Sequence, residues 1–166
     1  IRYISGKMSQ TNKIPERIKE FINEHHVLTL ASSNGVDLWC ANAFYVFDDD
    51  RNELVITSDE ATRHIRIAGY TDKVDNNPII AGAIVLETET IGKIRGVQFR
   101  AKLIKEDDLL SKSRVLYLKR FPYAVLKGGD LWRLKLVEIK FTDNRLGFGK
   151  KINLVIDDNE NWTTPL

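Results

Sequence analysis

Residues 38–57 read LWCANAFYVF, then DDDRN, then ELVIT: a long apolar run, a polar segment and a second apolar run. Aromatic and β-branched residues dominate both runs, as they do in β-strands, and the polar residues between them are typical of a turn. The stretch therefore predicts two strands, at residues 38–47 and 53–57. The second strand leads directly into a predicted helix at residues 59–68.

The same pattern extends in both directions. Further strands are predicted at residues 27–31, 79–86, 94–104, 132–141 and 152–156, and further helices near Lys13 and at residues 107–121. The first helix has Thr11 or Asn12 as its cap. The nearly all-apolar run at 79–86 is typical of a strand buried on both faces. Strands outnumber helices and do not alternate with them, which favours a closed or partly closed antiparallel barrel.

Composition limits the possible partners. The chain has 166 residues, 43% of them hydrophobic, with 25 basic and 23 acidic residues and a net charge of +2. This composition fits one globular domain with a buried hydrophobic core. The small net charge gives no electrostatic reason to expect binding to nucleic acid or to an acidic membrane surface. No run of about 18 apolar residues is present, and a cytoplasmic protein is expected. The single cysteine, Cys40, excludes an internal disulfide and is expected to be buried.

The only methionine, Met8, suggests how the chain is divided. We expect residues 1–7 to be an artificial leader that precedes the natural start. The folded domain is then expected at residues 8–156. The remaining residues, 157–166, are mainly polar and predict a mobile tail.

Residues 57–64, TSDEATRH, carry the most suggestive chemistry. Thr57 and Glu60 have the spacing of a capping box, and the start of a helix offers free N–H groups to an anion. Hydroxyls at Ser58 and Thr62, the Arg63 guanidinium and the His64 ring are suitable phosphate ligands. The ordinary alternative is a capped helix with an exposed Arg and His. The eight residues alone do not decide between the two.

Two other segments have simpler explanations. His25 and His26 have no carboxylate or cysteine at ligand spacing, so a helix-to-strand junction with two ordinary histidines explains them better than a metal site. Residues 146–150, LGFGK, follow a strand and precede no clear helix. They therefore predict a tight turn and not a phosphate-binding loop.

Four segments resemble one known family. They read LWCANAFYVFD at 38–48, TRH at 62–64, IRGVQF at 94–99 and EIKFTDNRLGFGKK at 138–151. Together they resemble the bacterial YhbP-like family, an uncharacterised group within the pyridoxamine 5′-phosphate oxidase-like FMN-binding split barrels. The resemblance spans residues 14–154. It implies a mainly β fold with α-helices: a six-stranded antiparallel split barrel of Greek-key topology and FMN-binding type, which forms a homodimer with flavin at the subunit interface.

The resemblance also implies a flavin site. Its phosphate is expected where the third strand meets the following helix, which is the TSDEATRH segment. Thr62 and Arg63 keep the hydroxyl and guanidinium of the oxidase's Ser-Arg-Lys run, whereas His64 replaces the lysine. Together with the hydroxyls already named, the expected cofactor-binding residues are Asn42, Phe44, Thr57, Ser58, Thr62, Arg63, His64, Gln98 (from the partner chain), Trp132, and Arg145 or Lys150.

The chain also departs from the oxidase. The basic residues that the oxidase carries on its second strand have no counterpart between Trp39 and Phe47, and its C-terminal Arg-Leu-His-Asp-Arg run reads RLGFGK here. These differences argue against oxidation of pyridoxamine phosphate itself. The resulting hypothesis is an FMN-dependent oxidoreductase acting on an unidentified small molecule. The alternative is a non-catalytic module that holds haem or a flavin, with His25, His26 and His64 as the possible haem ligands.

Overall fold

The computed structural model describes residues 13–70, 77–126, 128–147, 149–157 and 160–165. The described α-helices are α1 (Glu16–Glu24), α2 (Arg63–Ala68) and α3 (Lys112–Arg120). The described strands are β1 (Val27–Ser33), β2 (Leu38–Asp48), β3 (Glu53–Ser58), β4 (Ile79–Val85), β5 (Arg95–Glu106), β6 (Asp130–Asp143), β7 (Lys151–Ile156) and β8 (Trp162–Thr163). In the described part of the chain, no helix is long and apolar enough to span a membrane.

The strands form a closed barrel. Their order is β3-β2-β1-β4-β5-β6, and β3 also pairs with β6, which closes a ring of six antiparallel strands. The first four strands lie in the spatial order of a Greek key. Strands β7 and β8 extend the sheet beyond β6. The predicted six-stranded antiparallel barrel is therefore confirmed.

Alternating side chains fill the barrel. Leu28 and Leu30 of β1 point inward, and α1 and α2 pack their apolar residues into the same core. The Tyr45 hydroxyl of β2 donates a 2.6 Å hydrogen bond to the Ile22 carbonyl, which joins α1 to the barrel. Helix α3 lies outside, where its Tyr117 packs in a separate cluster with Val46, Val55 and Leu131.

Several expectations about single elements are wrong. Helix α2 begins at Arg63 rather than residue 59, and its first residue follows Thr62, whose side chain makes no capping bond. Thr57 belongs to β3, so the predicted capping box does not form. Strand β4 alternates between buried and exposed residues instead of being buried on both faces. Cys40 points outward and is exposed.

The chain ends also differ from the expectation. Pro15 is the N-cap of α1, which buries Ile18, Phe21 and Ile22. The proposed caps Thr11 and Asn12 lie outside the described residues, as do residues 1–7. Trp162 pairs with Ile156 and is almost fully buried. The expectation of a mobile tail is therefore wrong for β8, because a large indole ring packs against the barrel there.

Candidate functional site

A cleft of about 890 Å³ lies on the outside of the barrel, between the middle of β2, the end of β3, the turn before α2, and α3. This is within the usual size range of small-molecule sites, about 300–1,000 Å³. The predicted residues among those lining the cleft are Asn42, Phe44, Thr57, Ser58 and His64. Tyr117, Arg120 and Phe121 of the α3 region form the opposite wall.

Hydroxyl groups and an imidazole form a polar cluster at one end of the cleft. The Ser58 Oγ lies 2.8 Å from the His64 Nε2 and 3.2 Å from the Thr62 Oγ1, and the Thr62 Oγ1 lies 3.3 Å from the same nitrogen. The Thr62 hydroxyl also donates to the Asp59 carbonyl at 2.7 Å. Ser58 and His64 line the cleft, whereas Thr62 does not and has its only hydroxyl hydrogen committed to Asp59. The Ser58 hydroxyl and a protonated His64 ring are therefore the side-chain donors in this cluster that an anion in the cleft can use.

The core holds this cluster in place. Trp132 is fully buried, and its Nε1–H donates a 2.9 Å hydrogen bond to the Ser58 carbonyl. The Thr57 hydroxyl lies 3.0 Å from the Tyr117 hydroxyl, which joins the end of β3 to α3. The backbone that carries Ser58 is thus fixed from two sides, as precise ligand binding needs.

Burial lowers the pKa of His64, because the half-buried ring is less able to hold a charge than a ring in water. The imidazole is therefore neutral near pH 7 in the free protein. A neutral ring with its proton on Nδ1 accepts the Ser58 hydroxyl hydrogen at Nε2. His64 is thus an uncharged, hydrogen-bonded group that a ligand charge can alter.

Arg120 supplies a cation to the cleft wall. Its guanidinium donates to the carbonyls of Asn23 and His25 at 3.1 and 2.7 Å, and in the described part of the chain it forms no ion pair with a carboxylate. The group is therefore held rigidly while its charge is not neutralised. In the sequence the basic pair Lys119-Arg120 is typical of a solvated patch, and nothing in the local sequence shows that α3 folds over the cleft.

Arg63, by contrast, points to a different partner. Its guanidinium donates to both carboxylate oxygens of Asp37 at 2.8 and 3.0 Å and stacks over the Trp39 ring at 4.1 Å. This guanidinium lowers the pKa of Asp37, which stays ionised. In this arrangement the charge of Arg63 is already paired, so the predicted phosphate contact requires the ion pair to open.

The remaining predicted residues lie elsewhere in the protomer. Gln98 is exposed on β5, in the same outward row as Asn42 but three strands away across the sheet. The ring of Trp132 is in the core and supports Ser58 from below. Arg145 pairs with the buried Asp143 at the β6–β7 turn, and Lys150 lines a separate cavity of about 200 Å³ with Arg17. The turn itself, predicted from the two glycines, is confirmed.

An apolar surface adjoins the cleft. The outward residues of β2, β1 and β4 form what we call the outer sheet face, and none of them is charged. Thr29 of β1 lies opposite Asn42 of β2 on one side and opposite Ala83 of β4 on the other, so the three strands present one continuous surface. Its members are Leu38, Cys40, Asn42, Phe44, Val27, Thr29, Ala31, Ser33, Ile79, Ala81, Ala83 and Val85. Asn42 and Phe44 belong both to this face and to the cleft.

Comparison with known sequences identifies the family. The chain is 39% identical to a UPF0306 protein of Yersinia pestis over 137 residues, which are 82% of this chain and 89% of that protein. This chain belongs to the UPF0306 family. The UPF0306 protein of Yersinia pseudotuberculosis is equally similar over the same length. No protein-family model matches the chain.

Solved structures show which fold this UPF0306 member has. A haem-binding protein from Mycobacterium smegmatis matches with a TM-score of 0.64 and 17% identity, over 86% of this chain and 59% of that one. HutZ, a haem storage protein from Vibrio cholerae, matches with a TM-score of 0.55 and 17% identity, over 75% and 90%. A candidate pyridoxamine 5′-phosphate oxidase from Listeria innocua matches at 0.52 and 13%, over 77% and 95%. The chain thus shares the split-barrel fold of these proteins.

Proposed function

We propose that this UPF0306 protein binds FMN in the cleft and acts as a flavin-dependent oxidoreductase on a small molecule. The observation that carries the proposal is the cluster of Ser58, Thr62 and His64 at one end of a cleft whose other lining residues include four aromatic side chains. A polar end beside an apolar wall suits a ligand that has a phosphate at one end and an aromatic ring system at the other.

The ring would lie along the aromatic wall. Phe44 lies 5.3 Å from Phe121, and Phe121 lies 5.2 Å from Tyr117, measured between ring centroids. Asn42 accepts the Thr29 hydroxyl at its Oδ1, which leaves its amide N–H groups to donate to a ring carbonyl or nitrogen. These residues would hold and orient the isoalloxazine, while Ser58, Thr62 and His64 hold the phosphate.

The chemistry would come mainly from the cofactor. Bound FMN accepts hydride or electrons, so the protein needs to supply orientation, exclusion of water and a suitable electrostatic environment. Arg120 provides a fixed positive charge on the wall of the cleft, where it can attract an anionic group of the flavin or of a substrate. The small-molecule substrate would enter beside this residue.

The protein would act as a homodimer. The outer sheet face lacks charged residues, and exposed apolar side chains such as Val27 and Val85 make it suitable for burial against a second copy. Because Phe44 belongs to both surfaces, the partner would cover the open side of the cleft. Partner residues such as Gln98 or those of the β6–β7 turn could then complete the flavin site.

The test is direct binding. Protein produced with its host's flavin supply should be yellow and release FMN on heating, and the apoprotein should bind FMN more tightly than riboflavin in a calorimeter. Riboflavin is the matched control because it has the same ring without the phosphate. A colourless protein that takes up no FMN would contradict the proposal.

Haem is the second candidate ligand, because haem-binding proteins are among the structural neighbours. His64 is in the cleft, whereas the His25 ring is bonded to the Phe21 carbonyl at 2.7 Å at the α1–β1 junction. Haem ligation by His64 would require its Nε2 to leave Ser58. Haem titration should give an absorption band that His64→Ala removes, with His25→Ala and His26→Ala as controls. Absence of this band would exclude haem at the site.

A further inference from the structure

His64 differs from Arg63 and Arg120, the permanently charged side chains near the proposed phosphate position. Its ring carries a positive charge only after it has taken up a proton. Its Nε2 lies 2.8 Å from the Ser58 hydroxyl, where it acts as an acceptor when the ring is neutral. A phosphate oxygen in the same position is an acceptor as well, so it needs a donor opposite it. The ring can supply that donor by taking up a proton, which also gives it a positive charge.

Each carboxylate near the ring bonds to a group other than the imidazole, although the partner of Asp59, which lines the cleft, is an uncharged backbone N–H. Asp37 holds Arg63, Glu60 holds Lys105, and Asp59 accepts from the Ala61 backbone. Asp130 of β6 accepts from the Glu60 backbone. The cation on the facing wall is Arg120, and the other titratable group there is Tyr117. Burial is the cause of the lowered pKa of His64.

We propose that His64 couples the binding of a phosphate-bearing ligand to the uptake of one proton, so that the protein holds FMN more tightly as pH falls. The inference rests on the proposed function, since it places the phosphate at Ser58, Thr62 and His64. The negative phosphate beside the imidazole favours the charged ring and reverses the effect of burial. A lysine at this position would stay charged throughout and would not respond to pH.

The direction in which the affinity for FMN changes with pH follows from the linkage between ligand binding and proton binding. The pKa of His64 is low in the free protein and higher in the complex, so the complex binds more protons than the free protein. Affinity for FMN should therefore fall about tenfold per pH unit between these two pKa values and stay flat outside them. The phosphate itself has a second pKa of about 6 and opposes this trend, because its protonated form binds more weakly. Any test must separate the two contributions.

Calorimetry on the full chain in two buffers of different ionisation enthalpy measures the protons taken up on binding. Wild-type protein with FMN should take up close to one proton more than His64→Lys, in which the phosphate contribution remains and the imidazole is gone. His64→Gln should bind FMN more weakly, with the same low uptake as His64→Lys. Riboflavin should cause no uptake in any of the three proteins.

A second measurement uses wild-type protein alone and does not depend on a variant folding. The ring C–H proton resonances of the three histidines report their pKa values by NMR, and FMN should raise one of them while riboflavin does not. Equal uptake in wild type and His64→Lys, with FMN still bound, would overturn this inference and leave the flavin function standing. If no protein binds FMN at any pH, the proposed function fails and this inference fails with it.

Discussion

Trp132 positions Ser58, and the second buried indole provides a control. Trp132→Phe removes the donor to the Ser58 carbonyl and should lower the free energy of unfolding by about 1–3 kcal/mol beyond the loss of packing. Trp162 is equally buried, but its Nε1 has no hydrogen-bond partner among the described residues, so Trp162→Phe should cost less. Urea unfolding measures both. Equal losses would mean that the hydrogen bond contributes nothing.

The two arginines near the cleft can be separated by binding measurements. Arg120→Ala should weaken FMN binding by about 1.5–3 kcal/mol, the usual contribution of a charged hydrogen bond, because its charge is fixed and not neutralised. Arg63→Ala should have a smaller effect, because its guanidinium is paired with Asp37. Calorimetry with FMN compares the two variants. A larger loss for Arg63→Ala would show that this residue leaves Asp37 when the ligand binds.

Residue types alone predicted part of the site. Ser58 and His64 are predicted because hydroxyls and a histidine are close in sequence at the end of a strand, and both line the candidate cleft. Arg120 was missed because its partners, the carbonyls of Asn23 and His25, are more than ninety residues away along the chain. The pairing of Arg63 with Asp37 was also missed, because 26 residues separate the two along the chain. Local sequence cannot show which charges a fold neutralises.

At the scale of elements, the packing of β4 on β5 depends on one glycine. A Cβ atom at Gly82 would lie 2.2 Å from the Cζ of Phe99, its partner across the strands. Gly82→Ala should therefore lower the free energy of unfolding by about 1–3 kcal/mol through overpacking. Gly92→Ala is the control, because no atom lies within 4 Å of its Cβ position, and it should change stability by less than about 0.5 kcal/mol. Thermal unfolding distinguishes them, and adding Phe99→Leu to Gly82→Ala should restore part of the loss.

The elements themselves were mostly predictable, and two of the exceptions have a clear physical cause. Strands β2 and β3 follow from their aromatic and β-branched runs. Helix α2 is shorter than predicted because Asp59 forms a turn instead, accepting the Ala61 backbone N–H at its side chain and that of Thr62 at its carbonyl. Strand β4 is buried on one face only, because the barrel interior covers its inner face and leaves its outer face exposed. The shortening of α2 reflects a local turn that competes with the helix, whereas the burial of β4 depends on tertiary packing that a local pattern does not contain.

At the scale of the whole molecule, the outer sheet face would connect the proposed dimer to the proposed cofactor site. A monomer with this face in water would expose an apolar surface that adjoins its own ligand cleft. A second copy placed on the face would remove that surface from water and shield the open side of the cleft. Dimerisation and cofactor binding should therefore be coupled, with each one favouring the other.

Two exposed valines test this coupling. Val85 lies on the outer sheet face and Val115 on α3, with 68% and 61% of their surfaces exposed. Val85→Lys should convert the proposed dimer to a monomer at the same concentration and weaken the proposed retention of FMN, because the new ammonium group would be buried at the interface. Val115→Lys introduces the same charge away from this face and should change neither property. Sedimentation velocity with absorbance detection measures both mass and bound flavin. If Val85→Lys remains a dimer with its flavin, the subunits associate through another surface.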